Sequence, residues 1–203
     1  MSKAKATGVI LSGGKNSRMG RNKAFLTLDE KKSFIEKAVD TFNQVFDETI
    51  IVTNEPNKYE NLKAKVVTDI IPQKGPLSGI HAGLVTAQND YAFTIACDMP
   101  FVNRSLIELL VSEAPGYEIV VPQMGNYLQP LHAVYHKKCI KPIEQCLKEN
   151  IKKIIAFYPW VKINFVSEEK MKSVTDLDKV FFNVNDLQTL EKAKELYEEG
   201  NND

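Results

Sequence analysis

Apolar residues along the chain occur either in short runs or at helical spacing. Residues 33–46 place apolar side chains at steps of three and four, which predicts an amphipathic helix. Short apolar runs that end in turn residues predict buried strands. The predicted strands are residues 7–11, 49–52, 65–68, 91–97 and 118–121, and further helices are predicted at 77–87, from Asn103 through 111, and at 187–197.

Strands that alternate with helices across short connections are typical of a three-layer α/β fold with a mostly parallel, twisted sheet. After residue 121 the pattern is less regular. It predicts a hairpin within 124–135, a helix at 141–148 and a strand at 162–166. The 203 residues contain no repeat and no linker, and they suffice for one core. We therefore expect a single domain over residues 1–203.

Ligands of such sheets bind at the carboxyl ends of the strands. The first predicted strand leads directly into LSGGKNSRMGRNK, residues 11–23. Ser12 and the two glycines after it let the main chain approach a ligand and offer successive N–H groups to phosphate oxygens. Arg18 and Lys23 then supply a planar fork and a point charge, which together can neutralise a leaving pyrophosphate. A solvated basic loop is the alternative, and the strand and paired glycines disfavour it.

Other candidate residues are predicted at the same edge of the sheet. Asp98 follows a buried strand and precedes Met-Pro, so its carboxylate is a candidate ligand for Mg²⁺, which takes one or two protein carboxylates. Asp69 ends another predicted strand. Gly75 and Gly79 lie where backbone could approach a ligand. The alternatives are a helix-flanking carboxylate at Asp98 and close helix packing at the glycines.

Charge and composition narrow the classes of partner. Twenty-six basic and twenty-six acidic side chains cancel, which removes the net attraction on which nucleic-acid and anionic-membrane binders depend. No stretch approaches the roughly 20 apolar residues of a membrane span. Three widely spaced cysteines without a Cys-x-x-Cys pair favour a reduced cytoplasm. We therefore expect a cytoplasmic protein whose phosphate binding is local.

The sequence offers no activated serine, cysteine or histidine constellation that would form a covalent intermediate. His132 and His136 fall on one face of a predicted strand, but two histidines are a weak metal signal, and structural or solvated roles are favoured. An acceptor that brings its own phosphate is already an anionic nucleophile. Catalysis would then depend on positioning and electrostatics.

The motif LSGGKNSRMGRNKAFL resembles the sugar-nucleotide and cofactor nucleotidyltransferases, specifically the molybdenum cofactor guanylyltransferases. The match continues in order through VVTD, GPLSGIHAGL, ACDMPFV, QPLHAVY and FFNVNDLQTL, so it covers most of the chain. This resemblance implies a Rossmann-like nucleotidyltransferase domain with a nucleotide-binding N-terminal half and an acceptor-binding C-terminal half. It also implies that GTP and a molybdopterin-type cofactor react to give the guanine dinucleotide form and pyrophosphate, with transient contacts to cofactor-biosynthesis or molybdoenzyme partners.

Carried over to this chain, the resemblance assigns nucleotide contacts, catalytic groups and an acceptor region. Asn183 and Asn185 correspond to a signature near the acceptor, although asparagines before a helix also cap and turn chains. The nucleotide and catalytic positions are Leu11, Ser12, Gly13, Arg18, Lys23, Asp69, Gly75, Gly79 and Asp98, with Asp98 also the Mg²⁺ ligand.

The chain departs from the family pattern in a few places. Ser12 replaces the usual alanine, and Asn22 stands where an aspartate usually precedes the lysine. Lys152 and Lys153 replace arginine near the acceptor, and Asn54 is a candidate for the base contact. Two other functions stay open: a cytidylyltransferase acting on molybdopterin or on a sugar or polyol phosphate, and a nucleotide-binding regulator without turnover.

Overall fold

The computed structural model describes residues 3–13, 22–29, 31–72 and 75–199. Within these residues the chain forms eight strands of one sheet. They are β1 (Thr7–Leu11), β2 (Thr49–Val52), β3 (Lys65–Val67), β4 (Tyr91–Ala96), β5 (Ile119–Met124), β6 (Tyr127–Leu128), β7 (His132–His136) and β8 (Ile163–Ser167).

Helices connect most of these strands. The described residues include four short 3-10 segments, at Lys23–Phe25, Pro56–Tyr59, Lys137–Cys139 and Ile154–Trp160. None of the helices in the described part of the chain has the length and apolar content needed to cross a membrane. The α-helices are α1 (Phe34–Val45), α2 (Pro76–Thr86), α3 (Arg104–Ser112), α4 (Ile140–Lys148), α5 (Glu168–Lys172), α6 (Leu177–Val180) and α7 (Leu187–Glu199).

The sheet has the order β3-β2-β1-β4-β7-β5-β6, and β8 pairs with β5. The pairs β1–β2, β2–β3 and β1–β4 are all parallel. Beyond β4 the sheet is mixed, because β7 is antiparallel to both β4 and β5, whereas β8 is parallel to β5. The predicted parallel sheet is therefore confirmed for its first four strands, and the predicted hairpin region forms β5, β6 and β7.

Apolar side chains on the two faces of the sheet belong to two different cores. Ile10 on β1 packs with residues of α1 and α3, whereas its neighbours Val9 and Leu11 pack with α2 and α4. Successive side chains of a strand point to opposite faces, so a run that is apolar throughout requires cover on both. The predicted three-layer architecture is confirmed.

Helix α1 shows how local sequence sets an element boundary. The Ser33 side chain accepts a hydrogen bond from the Glu36 backbone, and the Glu36 carboxylate accepts one from the Ser33 backbone. This capping box starts the helix at the residue before its apolar stripe. At α3 the predicted cap is also confirmed, since the Asn103 side chain accepts from the Leu106 N–H at 2.9 Å.

His132 is a buried histidine on β7. Its ring meets Phe93 and Phe181 edge-on at centroid distances of 5.2 and 5.3 Å. Neither ring nitrogen has a hydrogen-bond partner within the described part of the chain. Burial lowers the pKa of His132 from its ordinary 6.5 to about 3, because the charged imidazolium would lose its hydration.

This depressed pKa predicts a pH-dependent stability. Between pH 6.5 and about pH 3 the unfolded chain binds a proton at His132, whereas His132 in the folded chain stays neutral. Acidification therefore destabilises the fold in that window. Between pH 7 and 5 this group should cost about 2 kcal/mol of unfolding free energy. In the His132→Leu variant, the unfolding free energy from denaturant titration should fall by about 2 kcal/mol less than in wild type between pH 7 and 5. From pH 7 to 9 it should change with pH as it does in wild type. If the unfolding free energies of wild type and His132→Leu changed with pH in the same way throughout, burial would not be what lowers the pKa of His132.

Candidate nucleotide-binding site

Backbone hydrogen bonds extend the sheet one residue past the strand ends and bring the predicted site segments together. The Ser12 N–H donates to the Val52 carbonyl at 2.8 Å, and the Cys97 N–H donates to the Leu11 carbonyl at 3.0 Å. Ser12 and Asp98 therefore leave adjacent parallel strands at the same edge. This agrees with the sequence expectation that residues far apart in the chain share one rim.

Lys23 lies at the centre of a polar cluster on this rim. Its Nζ is 3.5 Å from a carboxylate oxygen of Asp98, and it donates to Oδ1 of Asn185 at 2.8 Å. The Lys23 and Asp98 side chains are 27% and 26% exposed, so both can reach a ligand while partly shielded from solvent. The structure thus brings together two predicted catalytic residues and one residue predicted for the acceptor.

The C-terminal asparagines occupy different environments. Asn183 Nδ2 donates to the Phe181 carbonyl at 3.3 Å, a local contact within the turn. Between the two asparagines, the N–H of the fully buried Val184 donates to the Asp98 carbonyl at 2.9 Å. This bond ties the segment to the end of β4 and leaves Asn185 facing Lys23. Asn185 therefore contacts the predicted triphosphate residue directly, which the sequence did not predict.

Local structure explains the placement of Lys23. Asn22 caps the 3-10 turn that begins at Lys23, because its Oδ1 accepts from the Ala24 N–H at 3.1 Å. Ala24 is fully buried and anchors the turn. Asparagine and aspartate are equally good caps. The departure from the usual aspartate at position 22 therefore preserves the local fold of the turn.

Tyr59 is a buried residue of the rim that the sequence reasoning missed. Its hydroxyl lies 2.7 Å from Ser12 Oγ and accepts from Asn22 Nδ2 at 3.0 Å. Tyr59 stands in the polar run EPNKYENLK, where no apolar periodicity indicates burial. Only the three-dimensional fold brings this ring, in the turn after β2, beneath the end of β1.

A second polar contact lies beside β2 and β3. Asn54 Nδ2 donates to Asp69 Oδ2 at 3.4 Å, and a Cβ added at Gly13 would stand 3.8 Å from the same nitrogen. Burial raises the pKa of Asp69, and the Asn54 hydrogen bond opposes that rise. Gly13, Asn54 and Asp69 thus line one part of the rim.

The two predicted glycines differ in structural role. Gly75 precedes Pro76 at the start of α2 with φ of 75°, a left-handed conformation that favours glycine. A Cβ at Gly79 would stand 3.0 Å from a methyl carbon of Leu11. The absent side chain lets α2 pack closely on the end of β1. Close packing, the alternative weighed for these glycines, therefore applies to Gly79.

Arg18 and the other basic residues between positions 14 and 21 lie outside the described residues, so its predicted role is not tested by the geometry. Within the described ranges there is no group of three or more histidine, cysteine or acidic side chains that could hold a metal. Asp98 instead offers a single carboxylate. Such a donor fits Mg²⁺ that takes its remaining ligands from phosphate and water, and it does not fit an all-protein cage.

Comparison with known proteins places the chain in a family. Residues 8–162 match the model of the MobA-like NTP transferase domain. A probable molybdenum cofactor guanylyltransferase of Pelotomaculum thermopropionicum is 42% identical over 193 residues, which cover 95% of this chain and 94% of that protein. The molybdenum cofactor guanylyltransferase of Desulfosudis oleivorans is 38% identical over 96% of both chains.

Solved structures agree with this placement. Molybdopterin-guanine dinucleotide biosynthesis protein A from Archaeoglobus fulgidus superposes with a TM-score of 0.83 at 26% identity, over 95% of this chain and 99% of that one. The 2-C-methyl-D-erythritol 4-phosphate cytidylyltransferase of Thermus thermophilus has a TM-score of 0.69 at 13% identity, covers 94% and 98% of the two chains, and shares the fold alone. The chain belongs to the MobA-like NTP transferase family of nucleotidyltransferases.

Proposed function

We propose that this protein is a molybdenum cofactor guanylyltransferase, which transfers GMP from GTP to the phosphate of a molybdopterin-type cofactor and releases pyrophosphate. The main support is the cluster in which Lys23 contacts both Asp98 and Asn185 at the carboxyl edge of the sheet. A cation beside a carboxylate at this edge suits a triphosphate accompanied by a metal ion. Relatives that align over nearly the whole chain are named for the same activity.

The reaction needs no protein nucleophile. An oxygen of the acceptor phosphate attacks the α-phosphorus of GTP, a new phosphorus–oxygen bond forms, and the bond to the bridging oxygen breaks. Pyrophosphate leaves with the electron pair of that bond. Lys23 and Arg18 stabilise the negative charge that develops on the leaving group, which is the largest contribution expected in such reactions. Mg²⁺, bound at Asp98, would supply charge neutralisation of the phosphate oxygens.

Nucleotide contacts are proposed for the residues around this cluster. The Ser12 N–H is already bonded to the Val52 carbonyl, so the N–H of Gly13, the next residue, is proposed to donate to a phosphate oxygen. Asn54, which contacts Asp69 beside Gly13, is proposed to hydrogen-bond the guanine base of GTP. The full proposed nucleotide set is Leu11, Ser12, Gly13, Lys23, Asp69, Gly75, Gly79 and Asp98.

The acceptor is proposed to bind to the C-terminal half, near Asn183 and Asn185, with residues 1–203 acting as one domain. Strands β5 and β8, from that half, belong to the same sheet as β1.

We place the enzyme in the cytoplasm, which its three free cysteines support. Balanced charge argues against nucleic acid and membrane partners, and any contact with cofactor-biosynthesis proteins or molybdoenzymes would be transient.

Asp98→Asn tests the metal role. The amide is a poorer ligand for a hard cation, so Mg²⁺-dependent transfer should fall on the order of a hundredfold while the melting temperature stays near wild type. Asp90→Asn, at the exposed opposite end of β4, is the matched control and should keep full activity. Pyrophosphate release under a Mg²⁺ titration measures both. Near-normal activity of Asp98→Asn with unchanged Mg²⁺ dependence would remove Asp98 from the mechanism.

Base preference tests the guanylyl assignment. A site that hydrogen-bonds one base leaves polar groups unpaired with another, so GTP should raise the melting temperature more than CTP or ATP at matched concentration with Mg²⁺. At 100 times its dissociation constant GTP should add about 2.7 kcal/mol of stability. A preference for CTP would move the assignment to a cytidylyltransferase. Binding of GTP without pyrophosphate release in the presence of acceptor would indicate a regulator.

The two asparagines should separate in a kinetic comparison. Asn185→Ala removes the Oδ1 atom to which Lys23 donates its hydrogen bond. It should therefore weaken GTP binding about fivefold. Asn183→Ala should leave GTP affinity unchanged and raise the Michaelis constant for the molybdopterin acceptor. GTP titration, acceptor kinetics and melting temperature on both variants check this. A less stable Asn183→Ala protein with unchanged acceptor kinetics would reduce Asn183 to a turn residue.

A further inference from the structure

The Tyr59 hydroxyl joins two segments of the candidate site that come from different elements. Its ring is fully buried and packs against Phe25 at a centroid distance of 5.1 Å. The hydroxyl contacts Ser12 Oγ at 2.7 Å on one side and accepts from Asn22 Nδ2 at 3.0 Å on the other. Ser12 directly follows β1, and Asn22 caps the turn that begins at Lys23. One oxygen atom therefore sets the separation of these two segments.

The contact with Asn22 constrains its orientation. Asn22 Oδ1 is occupied as the cap of the Lys23 turn, where it accepts from the Ala24 N–H. Its Nδ2 must then be the group that faces Tyr59, with a longer contact of 3.3 Å to Glu55. A flipped amide would set an NH₂ group against the Ala24 N–H. The cap and the Tyr59 bond thus hold the same orientation of Asn22, immediately before Lys23.

The contact with Ser12 attaches this turn to the rigid part of the fold. Ser12 is 3% exposed, and its backbone continues the ladder to β2 through the Val52 carbonyl. The Cys97 N–H donates to the carbonyl of Leu11, the residue before Ser12, at 3.0 Å. Cys97 directly precedes Asp98. The Tyr59 hydroxyl therefore links the turn of Lys23 to the ends of both strands that frame the site.

We propose that Tyr59 is a positioning residue for the nucleoside triphosphate site, and that its hydroxyl places Lys23 by holding Asn22 against Ser12. This proposal rests on the proposed function, in which Lys23 binds the triphosphate. A purely structural Tyr59 would contribute to stability alone. A positioning Tyr59 acts on the ligand through Lys23, so its effect on affinity must depend on the Lys23 side chain.

A double-mutant cycle on GTP affinity tests this dependence. Tyr59→Phe keeps the buried ring and removes only the hydroxyl, and it should weaken GTP binding about fivefold, the equivalent of one hydrogen bond. Lys23→Ala should weaken GTP binding about thirtyfold, because it removes a charge-assisted contact. The double variant should bind no worse than Lys23→Ala, within about twofold, since coupled residues are not additive. Calorimetric titration of GTP with Mg²⁺ measures each affinity.

Tyr91→Phe is the matched control for stability. The Tyr91 hydroxyl also donates within the protein, to the Ala114 and Tyr117 carbonyls, but at the start of β4, the end opposite the site. It should lower the melting temperature as much as Tyr59→Phe does and leave GTP affinity unchanged. Asn22→Ala is a second variant at a partly exposed position. It should weaken GTP binding at least as much as Tyr59→Phe, and Tyr59→Phe should add nothing in its background.

The possible outcomes separate the two proposals. Full additivity of Tyr59→Phe and Lys23→Ala, or wild-type affinity in Tyr59→Phe, overturns the positioning role and leaves the guanylyltransferase assignment intact. An affinity loss in Tyr91→Phe equal to that in Tyr59→Phe also overturns it, because the loss would then follow stability. If Lys23→Ala binds GTP like wild type, the proposed role of Lys23 fails and the positioning role fails with it.

Discussion

The parallel pairing of β1 with β4 is the constraint on which the candidate site depends. In this register Leu11 stands opposite Ala96, so the chain leaves both strands at the same level of the sheet. Apolar residues on both faces of β1 belong to the two cores, and a shift by one residue would exchange their faces. Such a shift would place a side chain where Gly8 stands, and a Cβ there would clash with the rings of Phe42 and Phe46. Close packing therefore determines the register, and the positions of Ser12 and Asp98 follow from it.

Local electrostatics give the rim its chemical character in a chain without net charge. Lys23 is partly shielded and lies beside the carboxylate of Asp98 and the amide of Asn185. In partly desolvated surroundings a charge interacts more strongly than it does in water. The described residues thus concentrate one cation and one carboxylate at the point where we propose that the triphosphate and its metal ion bind. Hydrogen bonds to Ala24, Tyr59 and Glu55 hold the side chain of Asn22, which directly precedes this cation.

Sequence reasoning succeeded where periodicity or a cap leaves a clear pattern. The apolar spacing of residues 33–46 and the predicted cap at Asn103 located α1 and α3, and continuous apolar runs predicted β1 and β4. Helices α5 and α6 were missed, because five and four residues are too few to show a helical period. The parallel pairing of β8 with β5 was also missed, since pairing partners leave no pattern within either strand.

The same limit applies to the site. The glycine motif and Asp98 stand next to predicted strand ends, so their common edge followed from the fold class. The contact between Lys23 and Asn185 joins residues 162 positions apart, and no local spacing encodes it. The burial of Tyr59 was not predicted, because its neighbours in the sequence are polar, although its ring is fully buried. The sequence thus predicted that Ser12, Lys23 and Asp98 lie on the rim, but it did not predict which side chains hold them in place.

The distance in sequence between Lys23 and Asn185 has a consequence for biosynthesis. Translation adds about 5 to 20 residues per second, so Lys23 is synthesised roughly ten to thirty seconds before Asn185. During that interval neither Asn185 nor the Val184 bond to the Asp98 carbonyl exists. The contacts of Lys23 and Asp98 with this segment can therefore form only after Val184 and Asn185 have been synthesised.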